Sequence, residues 1–424
     1  MLDINLIRKS PGEVKAGIKK KNADPALVDQ FLELDEGWRH KISWLDALRS
    51  KQNKITADIK GGKGNREKLI EESKKIKLEI QREEATEADV KRLELERVSA
   101  LRLIPNLPLE GVPEGKDETG NVMLREVGKK PAFDFEPKDY LTIGEKLGII
   151  DVERAAKVSG SRFGYLKGEA ALLEFALVNF AVKFLTNPKN TGGKPFVPVI
   201  PPVLVREEAM EGMGYAERGR DEIYHFEKDK MYLVGTSEQS IGPMHSGEVF
   251  NEADLPVRYL GFSTCFRREA GSYGKDTKGI LRVHQFDKLE MFSITRPEDS
   301  RKEHEFLLEM EEELMQALKI PYHVLHICTA DLGDPAAAKY DIEAWLPGQN
   351  SGRGEHRETH STSNTTDYQS RRLNIKFRRY GSEKLEYVHM LNGTAFAIGR
   401  MIIAIMENYQ TKDGGFKWPD ALKE

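Results

Sequence analysis

The chain has 424 residues with a net charge of −4, which suggests two or three domains and excludes a uniformly basic nucleic-acid binder, but not a local basic patch. No apolar run approaches the roughly 18 residues of a membrane span, and the N-terminus has no continuous apolar core typical of a secretory signal. Two cysteines exclude a disulfide scaffold and a four-cysteine zinc site, so we expect a soluble, cytoplasmic, multidomain protein without membrane contact.

Residues 27–104 predict two long helices. The stretch contains no proline, and apolar residues recur every three or four positions along most of it, which is typical of an amphipathic helix. The segment GGKGN at 61–65 interrupts the pattern, and Pro105 ends it. Because helices joined by a short turn fold back on each other, we expect an antiparallel coiled-coil hairpin with arms roughly 50 Å long. A dimerisation or spacer coil would show the same pattern.

The tip of this hairpin is basic. Residues 51–68 hold six lysines and arginines against two acidic residues, in a chain that is negative overall. Such a patch suits a phosphate backbone, although a solvated helix face carries similar charge. The candidate nucleic-acid contacts are Lys51, Lys54, Lys60 and Lys63.

A proline-rich segment separates the hairpin from the rest. Five prolines among glycines and charged residues predict a linker at 105–137, between an N-terminal domain at 1–104 and a globular domain at 138–424. The glycines around residue 271 lack the spacing of a phosphate loop, and no G-x-G-x-x-G follows a strand. A nucleotide would therefore need another binding device.

Two strands and a helix in the second half hold the candidate chemistry. Residues 259–267 and 281–292 predict an antiparallel hairpin, in which alternation places Phe286, Lys288 and Glu290 on one face. An aromatic, a base and an acid on one face indicate a site floor, although an exposed sheet face can look alike. Further on, an apolar helix begins near Arg400, and a buried arginine needs an anionic partner in the protein or in a ligand.

These segments together resemble the seryl-tRNA synthetases, a family of class II aminoacyl-tRNA synthetases, over essentially the whole chain. The matching motifs are the N-terminal hairpin, VIPP at 199–202, FRRE at 266–269 with QFDKLE at 285–290, NGT at 392–394 with Gly399 and Arg400, and GTSE at 235–238. The resemblance implies an α+β fold, with an antiparallel-sheet class II catalytic domain and helices, preceded by the coiled-coil hairpin.

The resemblance also implies the reaction. Serine and ATP would give seryl-adenylate and pyrophosphate, and the seryl group would pass to the 3′ end of tRNA(Ser). Both steps build negative charge on phosphate oxygens, so positioned cations do most of the work. A serine–tRNA ligase of this family is expected to be a cytoplasmic homodimer, and the sequence leaves open whether tRNA(Sec) is charged as well.

Site residues follow from the same resemblance. For ATP, Arg267 is expected on the α-phosphate, Arg400 on the γ-phosphate and Phe286 against adenine. For serine, Glu290 and Thr394 are expected on its amino and hydroxyl groups. The remaining candidates are Arg268, Glu269, Thr359 and His360 for ATP, Thr236, Ser237 and Glu238 for serine, and Glu358 and Ser361 for ATP and for the Mg²⁺ that accompanies it.

Two features of the segment 349–361 depart from the family pattern. His360 stands where a small residue is usual, and the stretch 349–356 is a few residues longer than the common form. His356 and His360 also flank a glutamate, but its position and the Gly/Ser/Thr-rich context do not match a helical zinc motif, so no zinc is expected.

Other functions remain to be weighed. A non-enzymatic RNA-binding or scaffolding relative would be expected to lack Arg267, Glu290 or Arg400, and all three are present. A ligase that loads a carrier protein would be expected to lack the hairpin. Specificity for threonine or proline is the nearest enzymatic alternative, and the segment 236–238 argues against it.

Overall fold

The chain folds into two compact units. The computed structural model describes residues 1–84, 87–217, 220–270 and 278–423, without the side chains of residues 81–84, 87 and 88. The smaller unit consists of Leu2–Lys19 and Ala23–Pro105, and the larger one of Met1, Lys20–Asn22 and Asn106–Glu424.

The smaller unit is helical. Its helices are α1 (Ile4–Lys9), α2 (Pro11–Lys19), α3 (Ala26–Lys60), α4 (Arg66–Glu84) and α5 (Glu87–Leu103). Helix α3 forms one arm of 35 residues, and α4 and α5 return along it as the second arm. The arms meet through apolar side chains, among them Ile55, Ile76 and Ile80, which are buried together. The predicted hairpin is confirmed, and its turn holds Gly62 and Gly64 at positive φ, which glycine adopts without strain.

A buried carboxylate links three helices of this unit. Arg8 donates two hydrogen bonds of 2.8 Å to Asp35, Arg39 lies 3.1 Å from it, and Arg97 lies 3.4 Å from it. Burial raises the pKa of the Asp35 carboxyl, but these arginines outweigh burial and hold the net pKa below its usual value. One carboxylate shared by three arginines therefore joins α1, α3 and α5.

The larger unit is built around an antiparallel sheet. Its strands are β1 (Val122–Val127), β2 (Ile150–Asp151), β3 (Tyr165–Leu166), β4 (Val197–Val199), β5 (Leu204–Arg206), β6 (His225–Phe226), β7 (Met231–Leu233), β8 (Val249–Asn251), β9 (Val257–Phe266), β10 (Gln285–Thr295), β11 (Tyr322–His326), β12 (Ala338–Leu346), β13 (Glu355–Asn364), β14 (Lys376–Arg378), β15 (Leu385–Tyr387) and β16 (His389–Ala397). The main sheet has the order β1-β11-β12-β13-β16-β10-β9-β4, with β4 parallel to β9 and every other neighbour antiparallel. The predicted α+β class is confirmed.

Helices cover one face of this sheet. The helices of the unit are α6 (Tyr140–Leu147), α7 (Val152–Ser159), α8 (Glu169–Leu185), α9 (Glu207–Met213), α10 (Glu238–Ile241), α11 (Ser300–Ala317), α12 (Gln349–Gly352), α13 (Tyr368–Leu373) and α14 (Ile398–Asn408). Leucines and isoleucines of α8, α11 and α14 form one core with Leu289, Met291 and Ile342 of the sheet. The opposite face carries polar side chains in part, while Phe292 and Ile294 on it pack with Met213 of α9 and Leu373 of α13. No helix in the described part of the chain has the length and apolarity needed to cross a bilayer.

Two sequence-based boundaries need correction. Residues 105–137 are more than a linker, because Val122–Val127 forms the edge strand β1 and pairs with β11. The strand itself contains no proline, so its N–H groups are available for pairing, whereas the flanking prolines dominate the composition. The predicted pair β9 and β10 is confirmed as antiparallel, but β10 begins at Gln285 rather than at residue 281. Residues 271–277 of the intervening loop lie outside the described residues.

Candidate active site

A cavity of about 420 Å³ opens on the polar face of the sheet. The strands β10, β13 and β16 form much of its floor, and the segments around Gly235 and Arg267 form its walls. Most of the side chains predicted from the sequence line it: Thr236, Glu238, Arg267, Glu269, Phe286, Glu290, Glu358, Thr359, Ser361, Thr394 and Arg400.

Irregularities in strand pairing decide which side chains face this cavity. The β12–β13 register shifts between the pairs Ile342–His360 and Glu343–Glu358, so Thr359 is an extra residue on β13. Glu358 and Ser361 are three positions apart and would face opposite sides of a regular strand, yet both line the cavity. The bulge at Thr359 therefore brings the two predicted magnesium ligands together.

One end of the cavity is acidic and deeply buried. Glu290 lies directly opposite Thr394 in the β10–β16 pairing, and Thr394 Oγ1 donates to Glu290 Oε2 at 3.4 Å. Lys288 forms an ion pair with Glu290 and donates to Thr236 Oγ1 at 3.2 Å. Glu238 completes this acidic end and lies close enough to Glu290 for the two carboxylates to repel each other.

Burial and this repulsion change the acidity of both groups. Burial raises the pKa of Glu238 to about 7, and the nearby Glu290 carboxylate adds to that rise. Burial also raises the pKa of Glu290, against the attraction of Lys288. Tyr215 donates its hydroxyl to Glu238 Oε1, while Glu238 Oε2 has no hydrogen-bond partner among the described residues. The acidic end can therefore accept a cationic group such as an ammonium.

The other end of the cavity is cationic. Arg400 Nη1 donates to the Glu358 backbone oxygen at 2.8 Å and lies 3.4 Å from its carboxylate. Burial raises the pKa of the Glu358 carboxyl, but Arg400, Lys339 and Arg267 outweigh burial and lower the net value to about 2. Glu358 is thus ionised among three cations, which is a setting suited to a polyphosphate.

An aromatic ring and a polar edge also line the cavity. The Arg267 guanidinium lies 5.2 Å from the centre of the Phe286 ring, and Arg267 Nε donates to the Gly235 backbone oxygen at 3.3 Å. Glu269 accepts a hydrogen bond of 3.3 Å from Arg282, a cavity residue that the sequence motifs did not indicate. A flat ring beside polar groups can hold a nucleobase by stacking and edge contacts.

The structure places three of the side chains predicted from the sequence outside the cavity lining. Arg268 is exposed, and its guanidinium lies 5.7 Å from the Tyr224 ring instead of lining the cavity. Ser237 is fully buried, and a Cβ at Gly261 would lie 2.6 Å from its hydroxyl, so the side chain packs against that glycine. His360 is buried with its ring against Phe396, on the side of β13 that faces the core. These three side chains therefore do not line the cavity.

Three functional candidates lack an assigned role in the sequence motifs. Lys288 was recognised on the polar face, but its ion pair with Glu290 was not predicted. Tyr215 and Lys339 line the cavity from segments outside the motifs. The alternation of β12 is the signal for Lys339. Ala338 and Ile342 are buried on the apolar face of this strand, so Lys339 falls on the opposite face.

The donor set suits Mg²⁺ bound together with phosphate. The ionised Glu358 and the Ser361 hydroxyl are hard oxygen donors that line the same cavity. No group of three or more His, Cys, Asp or Glu side chains in the described ranges is arranged to hold a metal ion. The protein thus offers a partial shell that phosphate oxygens and water can complete.

The basic tip of the hairpin belongs to the helical unit. All four candidate lysines are exposed, and Lys51 forms an ion pair of 3.1 Å with Glu72 on the opposite arm. Lys54, Lys60 and Lys63 present their charges to solvent, as a phosphate-binding surface requires.

Comparisons with known proteins agree with this geometry. Residues 1–108 match the model of the seryl-tRNA synthetase N-terminal domain, and residues 224–409 match the class II tRNA synthetase core domain (G, H, P, S and T). Serine–tRNA ligases of Dictyoglomus turgidum and Acidothermus cellulolyticus are 48% and 46% identical, over 100% of this chain and 97% of theirs.

Solved structures give the same result. The seryl-tRNA synthetase of Pyrococcus horikoshii, complexed with ATP, has a TM-score of 0.90 and 42% identity over 100% of this chain and 97% of its own. The cytoplasmic serine–tRNA ligase of Naegleria fowleri, in complex with AMP, has a TM-score of 0.86 and 36% identity, with 100% and 96% covered. The chain therefore belongs to the seryl-tRNA synthetases, the class II aminoacyl-tRNA synthetases that act as ATP-dependent serine–tRNA ligases.

Proposed function

We propose that this chain activates L-serine with ATP to form seryl-adenylate and then transfers the seryl group to the 3′ end of tRNA(Ser). The observation that carries the proposal is a single cavity with an acidic, hydroxyl-lined end and a cationic end. Serine offers an ammonium and a hydroxyl to the first, and the ATP phosphates suit the second. An aromatic ring in the same cavity suits adenine.

The acidic end would select and orient serine. Glu238 and Glu290 would bind the ammonium, while Glu290 and Thr394 would hydrogen-bond the hydroxyl. Alanine offers no hydroxyl to Glu290 and Thr394, so it would forgo the buried hydrogen bonds that serine gains there, which is a basis for rejection. The serine carboxylate is then directed towards Arg267, where the α-phosphate would lie.

The cationic end would stabilise the charge that develops in the reaction. As the serine carboxylate attacks the α-phosphorus, Arg267 would bind the phosphate oxygens that gain charge, and Arg400 would hold the departing pyrophosphate. Guanidinium groups stay charged and can bind phosphate through two N–H groups. Glu358 and Ser361 would hold Mg²⁺, which supplies neutralising charge to the phosphates when bound.

Arg267→Ala should reduce serine-dependent ATP–pyrophosphate exchange by on the order of 10²–10³, because it removes one positioned cation at the developing charge. The matched control is Arg268→Ala, since that neighbouring arginine is exposed outside the cavity. Exchange is measured with each of the twenty amino acids. Exchange that depends on another amino acid would contradict the function, and an equal reduction in both variants would contradict the role of Arg267.

Serine binding should weaken as the pH falls through about 7, the value to which burial raises the pKa of Glu238. Protonation removes a negative charge facing the serine ammonium, so calorimetric affinity should fall about tenfold for each unit below that pKa. Glu238→Gln should bind serine more weakly and show a flatter profile between pH 8 and pH 6. An identical profile in this variant would assign the titration to another group.

We propose that residues 1–104 form the tRNA-binding domain and residues 138–424 the catalytic domain, in the cytoplasm where tRNA is charged.

Replacing Lys51, Lys54, Lys60 and Lys63 by Gln should weaken tRNA(Ser) binding and flatten its salt dependence by about one log–log unit for each phosphate that is no longer neutralised. Serine-dependent exchange in the same variant is the control and should stay normal. Unchanged affinity and an unchanged salt slope would show that the tip does not contact tRNA. The same binding assay with tRNA(Sec) tests whether this tRNA is a second substrate.

We also propose a homodimer formed through helix α8. Leu172 and Phe175 on this helix are 61% and 70% exposed, and Ile200 beside the edge strand β4 is 86% exposed. Large apolar side chains grouped in this way mark an interaction surface. Leu172→Lys with Phe175→Lys should shift the sedimentation coefficient from dimer to monomer, whereas Leu78→Lys on the exposed face of α4 should not. A wild-type monomer would contradict the proposal.

A further inference from the structure

A lysine that no motif indicated extends into the cationic end of the cavity. Lys339 lies near the start of β12 and lines the cavity with Glu358 and Arg400. Strand β12 pairs with β13, with Lys339 opposite Ser363 and Asp341 opposite Ser361. The lysine therefore projects from the strand next to the one that carries the candidate magnesium ligands.

A buried carboxylate fixes the position of this lysine. Asp341 lies two residues further along the same face of β12, with its Oδ2 3.0 Å from Lys339 Nζ. Asp341 is 7% exposed, so water screens this ion pair poorly. An ammonium carries three N–H donors, and the contact with Asp341 uses one of them. The others are available to a ligand in the cavity.

The charge around Lys339 favours an anion. Arg400 lies 3.4 Å from the Glu358 carboxylate, and Arg267 and Lys339 line the same cavity as this carboxylate. Among the described residues, the carboxylates that oppose these cations at this end are Glu358, whose side chain is 45% exposed, and the buried Asp341. An anionic ligand would balance the excess positive charge, and the cost of burying these charges is then offset.

We propose that Lys339 is a second cationic ligand of the ATP pyrophosphate moiety, beside Arg400, and that Asp341 is the positioning residue that holds its ammonium in place. The proposal rests on the proposed function and adds a residue to it. In adenylate formation a serine carboxylate oxygen bonds to the α-phosphorus, the bond from that phosphorus to the bridging oxygen breaks, and pyrophosphate leaves with the electron pair. Lys339 donates hydrogen bonds to pyrophosphate oxygens and keeps its own proton.

Binding of ATP and of AMP, measured by calorimetry, separates this role from a structural one. Lys339→Gln should weaken ATP binding by about tenfold to a hundredfold, as expected when a charged hydrogen-bond donor is removed. AMP lacks the pyrophosphate moiety, so its affinity should change less than about twofold. Lys339→Arg should retain most of the ATP affinity, and Lys302→Gln, at an exposed position of α11, controls for the change in net charge.

Two results would overturn the assignment. Equal weakening of ATP and AMP by Lys339→Gln would show that the lysine supports the cavity as a whole, and unchanged ATP affinity would remove it from the phosphate site. Wild-type exchange with serine is measured in parallel. Its absence would contradict the proposed function, whereas its presence with unchanged ATP affinity in Lys339→Gln would contradict this inference alone.

The role of Asp341 is tested by a double-mutant cycle. Asp341→Asn should weaken ATP but not AMP, as Lys339→Gln does, and the double variant should be no weaker than the weaker single variant. Fully additive reductions in affinity would show that Asp341 acts independently of Lys339. Thermal unfolding of each variant identifies any weakening that reflects an unfolded protein.

Discussion

Charge buried on one face of an antiparallel sheet is the constraint on which the catalytic unit depends. Glu290 is paired with Lys288, Glu358 with Arg400, and Asp341 with Lys339, all within or beneath one cavity. An isolated buried charge is costly, whereas a paired one is tolerable if its geometry is held. The apolar face of the same sheet, packed under α8, α11 and α14, supplies the rigidity that holds these pairs.

The ion pairs leave an excess of carboxylates at one end of the cavity and an excess of cations at the other. At the acidic end, the nearby cations do not balance the charges of Glu238 and Glu290, and burial raises the pKa of both carboxyls. At the other end, three cations surround Glu358 and lower its pKa to about 2. A substrate with an ammonium and a partner with phosphates would complete both ends. The electrostatic arrangement exists before the substrates bind, which is where preorganised sites gain their catalytic effect.

The sequence predicted what local pattern controls. A proline-free stretch of helical periodicity indicated the hairpin, and alternation indicated β9 and β10 with Phe286 and Glu290 on one face. The residue pattern of 105–137 could not indicate β1, because the strand has only six residues and the prolines around it are typical of a linker. Ser237 and His360 do not line the cavity for geometric reasons, since α10 begins directly after Ser237 and a bulge adjoins His360. Lys339 and Tyr215 come from segments that only the tertiary fold brings to the cavity.

A further buried carboxyl shows how far this electrostatic constraint extends below the cavity. Glu311 on α11 is fully buried, and neither of its carboxyl oxygens has a hydrogen-bond partner among the described residues. Burial, followed by the charges of Glu290 and Asp341, raises its pKa well above the usual value. A Cβ at Gly393 would lie 3.1 Å from Glu311 Oε1 and 3.2 Å from Thr362 Oγ1. The glycine between Asn392 and Thr394 therefore has a packing reason: it lets β16 pass over this carboxyl while Thr394 faces the serine end of the cavity.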